Sequence, residues 1–379
     1  MRRLLCSCVL LLGVLSAAPA GGSDLPGWAE DRAGAWLPPL LATCRRIDGL
    51  PPDYSLGGTG EAARLAGRAA HWREVCAEIR TLDRSLRGSP EARDAAARAF
   101  LLRRFRPLRI GNGLLTGYYE PELRGALRRH GPFRTPLRAL PPVPTDGLLP
   151  ERAAIENGAL DGLGLELVWV DDPVDAFFLQ VQGSGRIRLA EGGVLRLGFA
   201  GRNGHPYRSI GRLLIERGAI AREAMSMQTL RAWLAAAPPA ERIAVLQHNP
   251  SYVFFRVVEG LAPEDGPIGS LGVPLTPGRS LAVDPAFIPL GVPVWIVTRD
   301  PVDGTPLRRL VVAQDTGTAI RGPTRADLFW GWGKAAEARA GLMQEPAGLT
   351  LLLPLPAEPE AQPSPATAAT STGGAADLE

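Results

Sequence analysis

The segments SLAVDPAFIPLG (280–291), RRLVVAQDTGTAIRG (308–322) and TRADLFWGWG (324–333) share one plan: an apolar, β-prone run delivers an aspartate to a turn marked by Gly or Pro. The aspartates are Asp284, Asp315 and Asp327. A carboxylate costs free energy to bury unless it is hydrogen-bonded. A chain that brings three of them to the edge of a β core is therefore expected to use them together, at an active site.

Around this stretch the composition is that of a folded, turn-rich protein. The chain has 379 residues, 45% of them hydrophobic, with 44 Gly and 36 Pro, which favours short strands and turns over long helices. A formal net charge of +3 is too small to argue for nucleic acid, and no basic run with interleaved aromatics occurs. Trp28 to Phe105 reads as helical: Glu61–Arg80 repeats apolar residues at helical spacing, and Ser89-Pro90-Glu91 supplies an N-cap, a first-turn proline and an acidic first turn. From Leu114 the texture turns to short strands, expected at Leu114–Tyr119, Leu165–Val170, Phe177–Gln182, Val194–Phe199, Tyr252–Val257, Val292–Val297 and Leu310–Gln314. Short helices are expected at Ile210–Arg217 and Met227–Ala236.

The N-terminus has the form of an export signal over residues 1–20: Arg2-Arg3, an apolar stretch from Leu4 to Leu15, and Ala18-Pro19-Ala20 before Gly21. Cys8 has almost no hydrophobic run before it, so removal of Cys6 and Cys8 with the signal is expected rather than lipid attachment. Cys44 and Cys76 then remain as an even pair in an oxidising compartment, which suggests a disulfide; two buried thiols are the alternative. Residues 356–379 are poor in large apolar side chains and are expected to be a disordered tail.

The motifs around the aspartates, together with Leu115-Thr-Gly-Tyr-Tyr-Glu-Pro121, Phe178-Leu-Gln-Val-Gln-Gly-Ser-Gly185 and Asn249-Pro-Ser-Tyr252, resemble the membrane-bound lytic murein transglycosylase A family with its C-terminal three-aspartate domain, over roughly Leu114 to Leu355. That resemblance implies a mainly β fold with N-terminal helices: a double-psi β-barrel from residues 21–124 and 249–355, with a second, smaller β-barrel domain inserted at 125–248. It implies cleavage of the β-1,4 bond between N-acetylmuramic acid and N-acetylglucosamine in peptidoglycan. The muramyl C6 hydroxyl closes on C1 to leave a 1,6-anhydro end, so a single catalytic carboxyl suffices where ordinary glycosidases need two.

Position by position, the family's catalytic acid falls on Asp327, whose neighbours Leu328, Phe329, Trp330 and Trp332 lower the local polarity and favour a protonated carboxyl. Asp315 falls on the second family aspartate, read either as catalytic support or as a turn cap. Asp284 is read either as substrate-binding or as a residue that fixes the barrel, since Asp-Pro is a common turn device. Thr116, Tyr118, Tyr119 and Glu120, and Gln180, Gln182 and Ser184 alternating on one strand face, are expected to bind the saccharide; core tyrosines and backbone-bonding glutamines are the alternative. Trp330 and Trp332 are further stacking candidates.

His71, His130, His205 and His248 have no metal-ligand spacing, no nucleophile elbow or phosphate loop occurs, and no cofactor is implied. Two rivals remain, a two-carboxylate glycan hydrolase and a non-catalytic wall-binding module. Expected partners are peptidoglycan glycan strands, with wall-synthesis proteins as further candidates and the chain itself a monomer in the periplasm; outer-membrane association follows if Cys8 is lipidated. Intact mass before and after alkylation tests this reading: a chain beginning at Gly21 without free thiols is expected, and a diacylglyceryl mass on Cys8 would overturn it.

Overall fold

The computed structural model describes residues 25–85, 88–142 and 148–356. The signal at 1–20, Cys8 and the tail from 357 lie outside the described residues. Among the described residues twelve strands occur: β1 (Phe105–Glu120), β2 (Glu122–Ala126), β3 (Thr135–Arg138), β4 (Glu166–Val170), β5 (Gly185–Leu189), β6 (Val194–Arg202), β7 (Val253–Val257), β8 (Ser280–Val283), β9 (Pro293–Arg299), β10 (Pro306–Thr316), β11 (Ala326–Trp332) and β12 (Gln344–Pro354).

They form two sheets. One is a closed barrel in the order β1-β11-β8-β10-β9-β12, and the other is six-stranded in the order β3-β4-β2-β5-β6-β7. A parallel bridge from Ala139 to Phe255 brings the two ends of the second sheet together, making it barrel-like. The mainly β expectation therefore holds, with two barrel-like sheets and helices around them. The second sheet takes in β2, which straddles the start of the 125–248 span read from the sequence, and β7, which lies beyond its end, because both are hydrogen-bonded into it.

Inside the barrel, Leu115, Leu281, Val283, Val294, Ile296, Val311, Leu328, Leu349 and Leu351 are buried in one core. Strand β10 is buried on both faces from Leu310 to Gln314, so it reads as a continuous apolar run rather than an alternating one. The outer cover is the N-terminal helix Ala33–Asp48. Gln314 donates to Pro39 O and Thr43 Oγ1, both at 2.9 Å, and accepts from Ser280 Oγ at 2.6 Å, so its buried amide is satisfied. Its neighbour Asp315 points to the opposite side.

Two expected elements differ. The helix read over Glu61–Arg80 is broken into Gly60–Ala66, a short 3₁₀ turn and Arg73–Ser85. A side chain at Gly67 would sit 2.6 Å from Ala63 O and 2.7 Å from Gly57 O, so the chain turns where only Gly fits. The strand read over Phe177–Gln182 is the helix Pro173–Gln182. Asp172 caps it by accepting from Val174 N at 2.7 Å, Pro173 opens it, and Gly183 ends it at φ 82°; these end signals prevail over the β-prone interior. Ser89 caps Pro90–Arg104 as expected, accepting from Ala92 N at 3.3 Å.

Cys44 and Cys76 are joined in a disulfide that ties Ala33–Asp48 to Arg73–Ser85 across a sequence separation of 32. Closing a loop of this length should stabilise the fold by about 3–4 kcal/mol. Equilibrium denaturation with and without reductant should show that difference; coincident curves would mean the bridge contributes nothing.

Candidate active site

Strand β1 sets the geometry. It pairs in parallel with β11 so that Thr116 lies opposite Asp327 and Tyr118 opposite Phe329. Residues two apart share a face, and on this one Thr116 Oγ1 donates to Asp327 Oδ1 at 2.8 Å while the Tyr118 ring packs on Phe329 with centroids 5.3 Å apart. Gly117 between them is required by packing. A Cβ there would lie 2.8 Å from the Trp330 ring and 2.9 Å from Ala340 Cα, where the helix Gly333–Leu342 crosses the strand.

Asp327 is part-buried, and burial pushes its carboxyl up from 3.8 to about 7. The Thr116 bond and the Arg325 charge pull it down, and Asp315 adds to the rise. Asp315 is also pushed up by burial, against the bonds it accepts. Ser270 donates to its Oδ1 through both N and Oγ, each at 2.9 Å, and the Tyr118 hydroxyl donates to Oδ2 at 2.9 Å. Burial first, then the Asp315 and Asp327 charges, hold the Tyr118 phenol well above its ordinary range, so it serves as a donor.

A groove of about 610 Å³ between the two sheets is lined by Tyr118, Asp315, Ser184, Arg202 and Arg256, among others. Thr116 lines a second hollow of about 490 Å³, walled by Phe177, Met225 and Met343, and Val181 borders both. Asp327 is thus bonded to a residue of one hollow and feels the charge of a residue in the other.

The remaining expected residues divide. Glu120 lines the groove but is buried against Arg186 Nε at 2.7 Å and Arg196 Nη2 at 3.1 Å. Gln180 and Gln182 also line it, from the end of the Pro173–Gln182 helix and not from a strand, so the expected one-face alternation does not hold. Gln180 accepts from buried Arg152 at 2.6 Å, and Gln182 accepts from Tyr119 N at 3.4 Å. Tyr119 faces away from the groove, and its hydroxyl donates to Glu337 at 3.1 Å. Asp284 also stays out of the groove. It accepts from Ala286 N at 3.1 Å, which fixes its own turn, and from Gly322 N at 2.8 Å, which ties that turn to the loop after β10. Neither tryptophan lines the groove: Trp330 Nε1 bonds Met343 Sδ at 3.1 Å, and Trp332 lies under Arg186 at 3.7 Å.

Reading the sequence missed Ser270, Arg196, Phe199, Arg202 and Arg256. Ser270 sits in an unremarkable Gly-Ser-Leu-Gly turn, and the others lie on strands whose outward faces have no motif. Among the described residues no group of three or more His, Cys, Asp or Glu is arranged to hold a metal.

A closed barrel and a second sheet that flank a groove, with a perturbed aspartate beside it, define a two-sheet β protein with a buried acid next to its groove. Residues 114–256 match the MltA specific insert domain and 279–353 the 3D domain. A membrane-bound lytic murein transglycosylase from Agrobacterium tumefaciens has a TM-score of 0.75 at 34% identity, covering 87% of this chain and 95% of that one. MltA of Escherichia coli with bound chitohexaose has a TM-score of 0.64 at 30% identity, covering 81% and 94%. Membrane-bound lytic murein transglycosylase A of Vibrio cholerae is 38% identical over 240 residues, 61% of this chain and 62% of that protein, so the match spans less than two thirds of the curated relative's length. The chain belongs to the membrane-bound lytic murein transglycosylase A family.

A folded-state carboxyl raised to about 7 binds a proton that the unfolded chain releases near 3.8, so its contribution to stability is lost as pH rises between those values. Asp327→Asn removes that penalty. It should melt above wild type at pH 8, with the gap closing toward pH 4 in parallel thermal scans; a pH-independent gap would mean the carboxyl is not perturbed.

Proposed function

We infer that the chain is a lytic murein transglycosylase that cuts the N-acetylmuramyl-β-1,4-N-acetylglucosamine bond of peptidoglycan without water, for wall turnover. The observation that carries this reading is a carboxyl raised toward neutrality, Asp327, set between the hollow that Thr116 lines and the groove that Asp315 lines, while the oxygens of Asp315 already accept three hydrogen bonds. A two-carboxylate hydrolase needs its second carboxylate free to act on C1 or on water. Asp315 is occupied, so the nucleophile is best supplied by the substrate. The chitohexaose bound by the Escherichia coli relative supports a saccharide ligand for this chain.

Asp327 donates its proton to the departing glycosidic oxygen as the C1–O4 bond breaks. Positive charge develops at C1 and the ring oxygen. The Asp327 carboxylate then takes the proton of the muramyl C6 hydroxyl, O6 bonds to C1, and the 1,6-anhydro ring closes with Asp327 protonated again. Thr116 holds the carboxyl in position, and the low polarity that raises its pKa keeps it charged with a proton near neutrality. Attack by a hydroxyl of the same sugar ring carries the advantage of a high effective molarity. Tyr118, fixed by Asp315, offers its hydroxyl and ring to the bound glycan.

The barrel is proposed to be of the double-psi type, and the protein to act in the periplasm as an exported monomer. Among the described residues no helix is long and apolar enough to cross a membrane. Wall-synthesis proteins are proposed as further partners.

Product analysis tests the reaction. Digests should contain 1,6-anhydro-muramyl ends, one water lighter than hydrolytic products; reducing muramyl ends would mean a hydrolase, and no release a binding module. Asp327→Asn should lower turnover by about 10²–10⁴ or more while still binding glycan. Wild-type rate in that variant would remove Asp327 from the mechanism.

A further inference from the structure

The groove has two acids in its lining, Glu120 and Asp315. Glu120 is neutralised by Arg186 and Arg196, and Asp315 is held by Ser270 and Tyr118. The groove also has two cations without a carboxylate, Arg202 on β6 and Arg256 on β7. Neither has an ion pair among the described residues. Arg202 makes one side-chain hydrogen bond, from Nη2 to Thr318 Oγ1 at 3.3 Å, which reaches from the second sheet to the loop after Asp315. Its guanidinium lies 5.7 Å from the ring of Phe199, which also lines the groove and is 48% exposed. Burial pulls the Arg202 guanidinium down from its ordinary value, and no acidic neighbour offsets this. Both residues are exposed, so their guanidiniums are within reach of a ligand's charge.

We propose that Arg202 and Arg256, beside the exposed ring of Phe199, form an anion-recognising end of the groove that takes a carboxylate carried by the substituents of muramic acid. This rests on the groove being a peptidoglycan site. Peptidoglycan differs from an uncharged chitin-like glycan in the lactyl ether on muramic acid, which carries either a free carboxylate or a peptide with carboxylates of its own. The cations do not line the hollow that Thr116 lines. They select the strand and leave the bond-breaking step to Asp327. The fork of an arginine suits a planar carboxylate, and Phe199 offers an apolar surface to the adjoining methyl groups.

Binding to the Asp327→Asn protein, which does not consume ligand, separates selection from turnover. Three strand preparations serve as probes: peptide-bearing, peptide-stripped with free lactyl carboxylates, and carboxyl-amidated. Amidation should weaken binding about 10-fold at low salt, with the difference shrinking as ionic strength rises. Arg202→Gln with Arg256→Gln should abolish that difference, and Arg→Lys at both positions should keep part of it, which excludes misfolding as the cause. Tighter binding of peptide-bearing strands assigns the peptide carboxylates, and tighter binding of stripped strands the lactyl one. Equal affinity for amidated and anionic strands, or a difference that survives the glutamine pair, overturns the proposal. Discrimination in binding without anhydro products from the wild-type protein would sink the transglycosylase reading and leave this site standing.

Discussion

The register between β1 and β11 is the constraint on which the rest depends. A strand presents alternate residues to opposite faces, so a slip of one residue would exchange every side chain between core and groove. Here Thr116 lies opposite Asp327 and Tyr118 opposite Phe329. That single alignment gives Asp327 its hydrogen-bond donor, sets an aromatic wall beside it and directs Tyr118 toward Asp315. Gly117 allows the helix Gly333–Leu342 to press against the strand, and the long pairing of β1 with β12 on its other side closes the barrel.

Electrostatics then differentiates carboxylates that look alike in the sequence. Asp284 accepts one backbone N–H bond within its own turn and one from Gly322, 38 positions away, and stays out of the groove. Asp315 faces the groove but is engaged by Ser270 and Tyr118, whereas Asp327 has one side-chain donor and a largely apolar surround. Desolvation with few compensating bonds lifts an acid toward neutrality, which is what a proton donor near pH 7 requires. Glu120 is a fourth outcome. Burial pushes it up too, but Arg186 and Arg196 from the second sheet bind it, and Arg186 also covers Trp332 of β11. This cluster joins the end of β1 to the second sheet and helps hold the groove at its width.

Much of this was legible from local patterns. Ser89-Pro90 announces its helix, the apolar runs before Asp315 and at Val292–Val297 announce their strands, and the cysteine pair announces its bridge. Phe177–Gln182 misled because its aromatic and β-branched content is strand-like, while Asp172, Pro173 and Gly183, the residues that decide the element, stand outside the run. The strands β2, β3 and β5 were not read because ELRGA and GRIRL mix Gly and charged residues into their runs and TPLR carries a proline, none of which favours a strand.

The sequence by itself determined the candidates: the aspartates at the ends of β-prone runs, the Thr-Gly-Tyr-Tyr-Glu segment and the helix caps are local features, set by propensity and turn geometry. Tertiary structure alone decided what each does. Whether an aspartate is a cap, a clamp or an acid depends on how many donors reach it and how much water is excluded, and those donors come from residues such as Ser270 and Thr116, 45 and 211 positions away along the chain. The cationic end at Arg202 and Arg256 has the same origin, because a charge is defined by the counter-charge it lacks, and that absence exists only once the sheets have come together.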